Sequence, residues 1–339
     1  MRRIGLSGFA AMIFSGSVAA ETSLLDWSEL HGWSDDDHTS ARAVFLETCG
    51  DLSAGDWPAV CALAAKKGDP RLFFETLFRP VLISDGEETL FTGYFEPEVD
   101  GSRSASARFR YPLYQRPADA PGGEPWLSRE EIETTGVLEN RGLEIVWLED
   151  PVEKFFLQIQ GSGRINLEEG GNVRVGYGGK NGHPYRSVGV ELVRRGVFEE
   201  HEVSAQTIRR WVSENPVEGE QLLRHNPSYV FFREVSEVPA DKGPLGAMNR
   251  SVTAGRSLAV DPEYEPLGAP VWVEKNGESP IRRLMIAQDT GSAIRGPQRA
   301  DIFFGTGSKA GDEAGRIKDG GRMVVLFPIE QALELTGGS

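Results

Sequence analysis

The chain contains 339 residues, of which 39% are hydrophobic and 26% are charged, and this composition excludes an intrinsically disordered protein while leaving enough length for two domains. Its formal net charge of −15 argues against a nucleic-acid partner, because binding a phosphate backbone requires clusters of Lys and Arg that the sequence lacks. We therefore expect a globular protein whose ligand is not strongly anionic.

The first 20 residues have the composition of a secretory signal peptide. Arg2 and Arg3 provide a basic start, a short apolar segment follows, and Val18 and Ala20 are the small residues expected before a cleavage site. The apolar segment is too short for a spanning helix; an uncleaved membrane anchor is the alternative. No cysteine follows at the position of a lipid anchor, so we expect a periplasmic protein, with association with the outer membrane as the other location.

Residues 24–78 show helical periodicity, and Asp35–Asp37 indicate a solvated helix start. Cys49 and Cys61 are the two cysteines of the chain, and an oxidising compartment favours one disulfide between them. Two buried free thiols are the alternative. The five histidines lack the spacing of a zinc site, so we expect no metal and no cofactor.

Beyond residue 80 the periodicity becomes that of strands. The sequence predicts strands at Leu90–Pro97, Phe109–Tyr114, Ile145–Leu148 and Phe155–Gln160. Ser128, with Glu131 three residues later, has the pattern of a capping box and predicts a short helix. The middle of the chain should therefore be mainly β.

Two glycine-rich segments, Gln160–Arg164 and Arg174–Tyr185, mix glycine with Tyr, Asn, Gln and Lys, and we expect both to be loops. That composition is typical of places where the backbone must approach a polar, ring-shaped ligand such as a sugar. Hairpin turns without a ligand are the alternative, and a phosphate loop is disfavoured because no helix with Lys-Ser or Lys-Thr follows. Amphipathic helices are predicted downstream at Ser187–Gly196, Ser204–Ser213 and Gln221–Arg224.

The last third of the chain consists of short apolar segments separated by Gly and Pro. Predicted strands are Ser251–Ala254, Ser257–Val260, Val271–Val273, Arg283–Ala287, Asp301–Phe304 and Arg322–Leu326. Short strands at this spacing are typical of a small β-barrel.

Asp289 and Asp301 lie within the glycine-rich stretch 287–326. Asp301 begins a short aromatic strand, whose alternation points Asp301 and Phe303 to the same face. An acid beside aromatic surface is a candidate proton donor, because desolvation disfavours the carboxylate and raises its pKa. Aspartates in glycine-rich connections are also common turn residues, which is the alternative for either position.

Several motifs occur in an order that resembles a known enzyme family. Three aspartates stand in the sequences Ala-Val-Asp-Pro (Asp261), Ala-Gln-Asp-Thr-Gly-Ser (Asp289) and Arg-Ala-Asp-Ile-Phe-Phe (Asp301), as in the three-aspartate domain of murein enzymes. Upstream segments that extend the pattern are Gly93–Pro97, Gln158–Gly163, Tyr177–Ser187 and Asn226–Phe232. Most of the chain beyond residue 80 therefore resembles the membrane-bound lytic murein transglycosylase A family.

The resemblance implies a mainly β protein with some α. A double-psi β-barrel would be built from residues 21–98, whose N-terminal part is helical, and 233–339, with a second β domain, 99–232, inserted between them. Peptidoglycan glycan strands would bind in a groove across both domains. The implied activity is that of a lytic exotransglycosylase, which cuts the β-1,4 bond between N-acetylmuramic acid and N-acetylglucosamine without water and leaves a 1,6-anhydromuramic end. We expect a monomer, with cell-wall enzyme complexes as further partners.

The same resemblance implies residue roles. Asp301 would be the single catalytic residue, first as acid and then as base, with Asp289 in support. Asp261 would also support it, and a turn cap at the strand end is the alternative. Candidates for substrate binding by motif position are Tyr94, Glu96, Gln160, Gly161, Ser162, Gly163, Tyr177, Lys180 and Asn181. The sequence departs from the family at its start, because typical members carry a lipid-modified cysteine there.

Two other functions are kept as alternatives. The sequence from Asp289 to Ser292 reproduces the Asp-Thr-Gly-Ser of aspartic proteases, but no second copy is present to complete the pair of carboxylates. A murein-binding protein without catalytic activity is the other alternative. Replacement of Asp301 distinguishes these functions, because it should abolish turnover only in a transglycosylase.

Overall fold

The computed structural model describes residues 20–121, 124–239 and 242–337, so the predicted signal peptide lies outside the described residues except for Ala20. The strands in these ranges are β1 (Glu21–Leu24), β2 (Phe78–Ser84), β3 (Leu90–Glu96), β4 (Glu98–Ser102), β5 (Tyr111–Tyr114), β6 (Glu144–Leu148), β7 (Gly163–Leu167), β8 (Asn172–Lys180), β9 (Val230–Glu234), β10 (Ser257–Val260), β11 (Pro270–Lys275), β12 (Ile281–Thr290), β13 (Arg299–Thr306), β14 (Lys318–Asp319) and β15 (Gly321–Pro328). The α-helices are α1 (His38–Thr48), α2 (Trp57–Ala64), α3 (Pro70–Leu77), α4 (Arg129–Thr135), α5 (Pro151–Gln160), α6 (Val188–Arg194), α7 (Ala205–Glu214), α8 (Pro216–Arg224), α9 (Ser308–Ala314) and α10 (Ile329–Thr336). None of the helices in the described ranges has the length and apolar character needed to cross a bilayer.

The larger sheet has nine strands in the order β1-β2-β15-β11-β12-β10-β13-β3-β14 and curls into a nearly closed barrel. Its pairing is mixed: β10 runs parallel to β12 and β13 parallel to β3, whereas β11 is antiparallel to both of its neighbours. β11 is buried at all six positions, and Trp272 lies fully inside the core. The mainly β fold class with some α is therefore confirmed.

Three N-terminal helices pack against this barrel through an aromatic cluster. The ring of Phe45 in α1 lies 6.3 Å from that of Phe74 in α3 and 6.0 Å from that of Phe78 in β2. Cys49, directly after α1, and Cys61 in α2 are joined as a disulfide, with their Cα atoms 5.5 Å apart. This bond closes the α1–α2 connection over the cluster.

The three acidic residues before α1 do not all have the predicted environment. Asp37 caps the helix by accepting hydrogen bonds from the backbone N–H groups of Thr39 and Ser40. Asp36 is not solvated: its carboxylate pairs with Arg256 at 2.8 Å, and only 5% of its side chain is exposed. The pair attaches the helical segment to the start of β10.

The smaller sheet has six strands in the order β5-β6-β4-β7-β8-β9, all drawn from residues 98 to 234. Leu113, Val146 and Phe232 belong to its hydrophobic core. The helices α5 to α8 form a second core, to which Phe155 and Leu192 contribute. Helices α6, α7 and α8 occupy the three positions predicted downstream of the glycine-rich segments. The exact division of the chain at residues 99 and 232 stays a prediction.

The strand predicted at Phe155–Gln160 is wrong, because these residues form the C-terminal part of α5. Asp150 accepts a hydrogen bond from the N–H of Val152, Pro151 occupies the first helical position, and Gly161 ends the helix at φ 77°. A short apolar run does not by itself distinguish a buried strand from a buried helix. The capping residues on both sides decide in favour of the helix.

Two further local predictions are wrong. Residues 174–180 are not a loop but part of β8, and Gly178 approaches β9 so closely that a Cβ atom would lie 2.6 Å from the carbonyl carbon of Phe232. The glycine therefore serves strand packing at this position. The segment Ser251–Ala254 is not a strand, because Ser251 makes only an isolated bridge with Leu245.

Candidate active site

Asp289 and Asp301 lie in one row across three strands of the barrel. Ala259 of β10 pairs with Asp289 of β12 on one side and with Asp301 of β13 on the other. Directly paired residues point to the same face, and neighbouring strands are ~4.8 Å apart, so the two aspartate Cα atoms are separated by roughly 10 Å. Ala259 stands between them in this row, and its small methyl group leaves space between the two carboxylates.

Asp301 is partly buried and paired with a cation on its own strand. Arg299, two residues earlier, donates from Nη1 to Asp301 Oδ1 at 2.7 Å, and 21% of the Asp301 side chain is exposed. Burial raises the pKa of Asp301, while the charge and hydrogen bond of Arg299 oppose that effect, and the net pKa is raised. The carboxyl group is thus reachable, with a higher proton affinity than an ordinary aspartate.

Asp289 is held by two backbone N–H groups. Its Oδ1 accepts hydrogen bonds from Ala247 at 3.0 Å and from Thr290 at 2.9 Å. Burial raises the pKa of Asp289 to about 6, even though these hydrogen bonds act in the opposite direction, and the negative charge of Asp301 adds to the increase. Asp289 is therefore fixed in orientation, unlike an exposed turn residue.

Tyr94 of β3 lies beside both acids. Its ring packs against Phe303 with centroids 5.1 Å apart, and its hydroxyl is buried. Burial raises the pKa of Tyr94 well above its usual value, and the negative charges of Asp289 and Asp301 raise it further. Tyr94 is consequently a neutral hydroxyl donor next to two carboxyl groups.

Glu96 ends β3, but its carboxylate is completely buried and already paired. Its Oε2 accepts from Arg164 Nε at 3.0 Å and from Thr306 Oγ1 at 2.8 Å. Its Oε1 lies 2.8 Å from Arg174 Nε. With 0% exposure, neither carboxylate oxygen of Glu96 is accessible to a sugar. Its position favours a structural role over the substrate contact expected from its motif.

The same two arginines hold the segment that links β9 to β10. The carbonyl oxygen of Lys242 accepts from Arg164 at 3.0 Å and from Arg174 at 2.6 Å. Five residues later, Ala247 donates its N–H to Asp289. A Cβ atom on Gly246 would lie 2.6 Å from the Gln288 carbonyl oxygen, so the close approach of this linker to β12 requires glycine.

The motif around Gln160 lies at the junction of α5 and β7. Gln160 is half-buried, and its Oε1 accepts from the N–H of Phe95 at 3.2 Å. Gly161 ends α5, Ser162 is 8% exposed, and Gly163 has too little space for a Cβ atom beside the Pro97 carbonyl oxygen, 3.1 Å away. Of these four residues, Gln160 has the side chain best placed to meet a ligand.

The remaining candidates divide into exposed and buried side chains. Tyr177 is 54% exposed and Lys180 is also exposed, so both are available to a ligand. Asn181 is buried: its Nδ2 donates to the carbonyl oxygens of Leu127 and Pro227, each at 2.8 Å. The polar atoms of Asn181 are thus used to hold loops together.

Asp261 directly follows β10 and is 3% exposed. Its Oδ2 accepts from the N–H of Gly296 at 3.0 Å, and its Oδ1 lies 3.4 Å from Arg295 Nη1. Both partners belong to the loop that connects Asp289 to Asp301. Asp261 therefore anchors the connection between the two acids, which agrees with a supporting role.

A cleft of about 960 Å³ opens between the two sheets. Gly93 and Phe95 line it, and these residues alternate along β3 with Tyr94, so the cleft lies on the opposite face of that strand. Gln160 and Asp312 also line it, whereas Asp289 and Asp301 are not among the described residues that line it. The two aspartates and the large cleft therefore lie near opposite faces of β3.

Sequence reasoning missed the residues that hold the acids in place. Arg299 could have been found, because residues two apart on a strand share a face and Arg299 precedes Asp301 at that spacing. Arg164 and Arg174 give no comparable local signal, since their shared partner Glu96 is 68 and 78 residues away in sequence.

Two protein-family models match this chain. Residues 90–233 match the MltA specific insert domain, and residues 256–327 match the 3D domain. Membrane-bound lytic murein transglycosylase A of Vibrio cholerae is 31% identical over 272 residues, which cover 76% of this chain and 71% of that protein. The chain belongs to the membrane-bound lytic murein transglycosylase A family. The relative from Escherichia coli K12 is 35% identical over 247 residues, or 70% of this chain, and the chain spans 65% of the length of that protein.

Solved structures of the family share the fold. The membrane-bound lytic murein transglycosylase from Agrobacterium tumefaciens superposes with a TM-score of 0.82 at 31% identity, covering 93% of this chain and 99% of that one. The Escherichia coli MltA structure with bound chitohexaose gives a TM-score of 0.74 at 27% identity, covering 93% and 96%. These matches extend over both sheets of the chain.

Proposed function

We propose that this chain is a lytic murein transglycosylase of the periplasm that cleaves the β-1,4 bond between N-acetylmuramic acid and N-acetylglucosamine. The product would carry a 1,6-anhydromuramic end, because the 6-hydroxyl of the sugar, and not water, attacks C1. The observation that carries the proposal is the carboxyl group of Asp301, which is 21% exposed and whose pKa is raised by burial. The bound chitohexaose in the Escherichia coli relative supports peptidoglycan glycan strands as the ligand of this chain.

Asp301 would act twice in one turnover. Its protonated carboxyl first donates a proton to the glycosidic oxygen as the bond between C1 and that oxygen breaks. The resulting carboxylate then accepts the proton of the 6-hydroxyl as O6 forms its bond to C1, which returns Asp301 to its starting state. Arg299 would stabilise the carboxylate between these steps, because its Nη1 lies 2.7 Å from Asp301 Oδ1. The nucleophile is part of the substrate, so proximity replaces a second catalytic carboxyl group.

Asp289 and Tyr94 would position the substrate and the acid. Asp289 has one oxygen committed to the backbone of Ala247 and Thr290, so its carboxylate cannot turn freely toward a second reaction partner. Tyr94 contributes a neutral hydroxyl next to both acids. We assign hydrogen bonding to the sugar to this pair, and proton transfer to Asp301.

The alternative of an aspartic protease is disfavoured by the row of residues across the barrel. A protease dyad requires two carboxyl groups close enough to share one proton. Here β10 runs between the strands of Asp289 and Asp301, with Ala259 paired to each. The two acids are therefore not adjacent, and a dyad would require a second Asp that the motif at Asp289 does not supply.

Mass spectrometry of digested murein sacculi tests the proposal. Wild type should release muropeptides lighter by one water than hydrolysed ones, Asp301→Asn should release none while still binding sacculi, and the exposed control Asp35→Asn should match wild type. Reducing ends would mean that water is the nucleophile and that Asp289 must be examined as its base. Binding without any release by wild type would indicate a murein-binding protein, and peptide cleavage that persists in Asp301→Asn would indicate a protease.

A further inference from the structure

A second cavity, of about 400 Å³, lies in the half of the molecule that contains the smaller sheet. Residues of α4, α5 and α8 line it together with residues of β5 and β6. It opens beside the large cleft, because Arg110, Tyr111, Pro151 and Glu220 line both spaces. Its volume is within the range of sites for small ligands, and none of the catalytic candidates lines it.

The interior of this cavity carries more positive than negative charge. Glu133 Oε1 lies 3.3 Å from both Lys154 Nζ and Arg129 Nη1, and its Oε2 lies 3.7 Å from Arg224 Nε. This one carboxylate therefore faces three cations, and a second carboxylate, Glu220, pairs with Arg224. Lys154 is 7% exposed and Arg129 is 2% exposed, and buried charge of one sign is costly unless a partner neutralises it. The interior is suited to an additional anionic group.

Two buried donor groups in the cavity lining have no hydrogen-bond acceptor among the described residues: the Tyr229 hydroxyl and Arg224 Nε. Tyr229 is 1% exposed, and Lys154 Nζ lies 5.3 Å from the centre of its ring. The Lys154 ammonium has three N–H donors: one is directed to Glu133 at 3.3 Å and one toward the Tyr229 oxygen, which leaves a third. Buried donors are nearly always satisfied in folded proteins. A carboxylate placed in the cavity would supply acceptors for these donors.

The outer part of the same cavity has the opposite charge. Glu139 is exposed and Glu144 is half-buried, and both line the cavity. Glu220 also lines it, but this carboxylate is paired with Arg224 at 3.0 Å. A ligand that fits this distribution has a carboxylate directed inward and an ammonium group directed outward.

We propose that the cavity binds the ammonium-carboxylate end of an amino acid, as it occurs on a murein stem peptide. The proposal rests on the murein substrate proposed above and adds a site for the peptide in the half of the molecule that contains the smaller sheet. The ligand carboxylate accepts hydrogen bonds from Lys154, Tyr229 and Arg224, and its ammonium group contacts Glu139 and Glu144. A free amino acid has the same chemistry, so the two sources must be distinguished by experiment.

Calorimetric titration of the purified chain tests the site with two probes, a muramyl tetrapeptide ending in D-alanine with meso-diaminopimelate at its third position, and free D-alanine. Tyr229→Phe should bind the tetrapeptide about tenfold more weakly, because one hydrogen bond to a charged group is lost. Its melting temperature should change little, since the hydroxyl proton has no acceptor among the described residues. Tyr264→Phe, a half-buried tyrosine of the barrel, should bind as wild type does. Equal binding by Tyr229→Phe and wild type, or a site that takes D-alanine as tightly as the tetrapeptide, would overturn the stem-peptide assignment.

A kinetic comparison separates this proposal from the proposed activity. Glycan strands that keep their stem peptides should have a lower KM than strands stripped by an amidase, and Tyr229→Phe should reduce that difference without changing kcat on stripped strands. Equal KM values for the two substrates would contradict a peptide site. If neither substrate yields anhydromuramic product, the proposed activity fails, while the titration still decides whether the cavity binds the tetrapeptide.

Discussion

Glu96 offers a quantitative test of the structure, because its removal should destabilise the protein strongly. Its carboxylate is 0% exposed and lies 3.0 Å from Arg164 and 2.8 Å from Arg174. Glu96→Gln leaves the buried guanidinium group of Arg174 without its counter-charge and removes the nearer carboxylate of Arg164, which is 21% exposed. Breaking a buried ion pair by removing one partner costs about 3–5 kcal/mol. We expect a loss of that size in the free energy of unfolding, measured by urea denaturation at neutral pH.

Glu234→Gln is the matched control for this experiment. Glu234 also pairs with an arginine, Arg103, at 2.7 Å, but the two side chains are 48% and 41% exposed. Exposed pairs contribute below about 1 kcal/mol, so the same chemical change should have little effect there. If Glu96→Gln lowers the free energy of unfolding no more than Glu234→Gln does, the conclusion that Glu96 is a buried structural carboxylate is refuted. Glu96 would then again be a candidate for substrate contact.

Three further outcomes follow from the contacts around the site. In Arg299→Met the pKa of Asp301 should rise, because the opposing cation is lost. An acid that must be protonated then stays active to higher pH, so the alkaline limb of the pH–rate profile should move to higher pH. Arg299→Lys keeps the positive charge and should leave that limb near its wild-type position. Folding raises the pKa of Asp289 from 3.8 to about 6, so the free energy of unfolding falls as pH increases through that window. Asp289→Asn should therefore lose less of its free energy of unfolding than wild type does between pH 4 and pH 7, as measured by denaturation. Replacing Cys49 and Cys61 by serine should lower stability by about 3 kcal/mol, and reductant should have that effect on wild type only.

The sequence is most informative where the chemistry is local. Asp289 and Asp301 stand out because each follows or begins a short apolar strand inside a glycine-rich stretch, and both prove to share a row of the barrel. The capping box at Ser128 is likewise complete within four residues, and α4 begins there. In such cases neighbouring residues contain all the information that the local structure needs.

The sequence is less informative where distant residues decide the structure. Glu96 and Asn181 lie in motifs that suggested sugar contacts, but the first is paired with Arg174, 78 residues away, and the second with the carbonyl oxygen of Leu127, 54 residues away. A polar side chain in a glycine-rich motif looks the same in sequence whether it faces a ligand or a buried partner. Only the topology, which brings β3 next to β7 and β8 at their ends, separates these cases.

The position of Asp289 depends on both sheets. One of the two backbone N–H groups that hold its carboxylate belongs to Ala247, in the linker after β9. Earlier in that linker, the carbonyl oxygen of Lys242 accepts hydrogen bonds from Arg164 and Arg174 of the smaller sheet. Both arginines are in turn oriented by Glu96, at the end of the barrel strand that carries Tyr94. Buried ion pairs add little stability compared with apolar packing, but they define geometry well. We infer that this charged cluster is kept because it positions the linker whose Ala247 N–H holds Asp289, in addition to the contact that Thr290 of β12 provides.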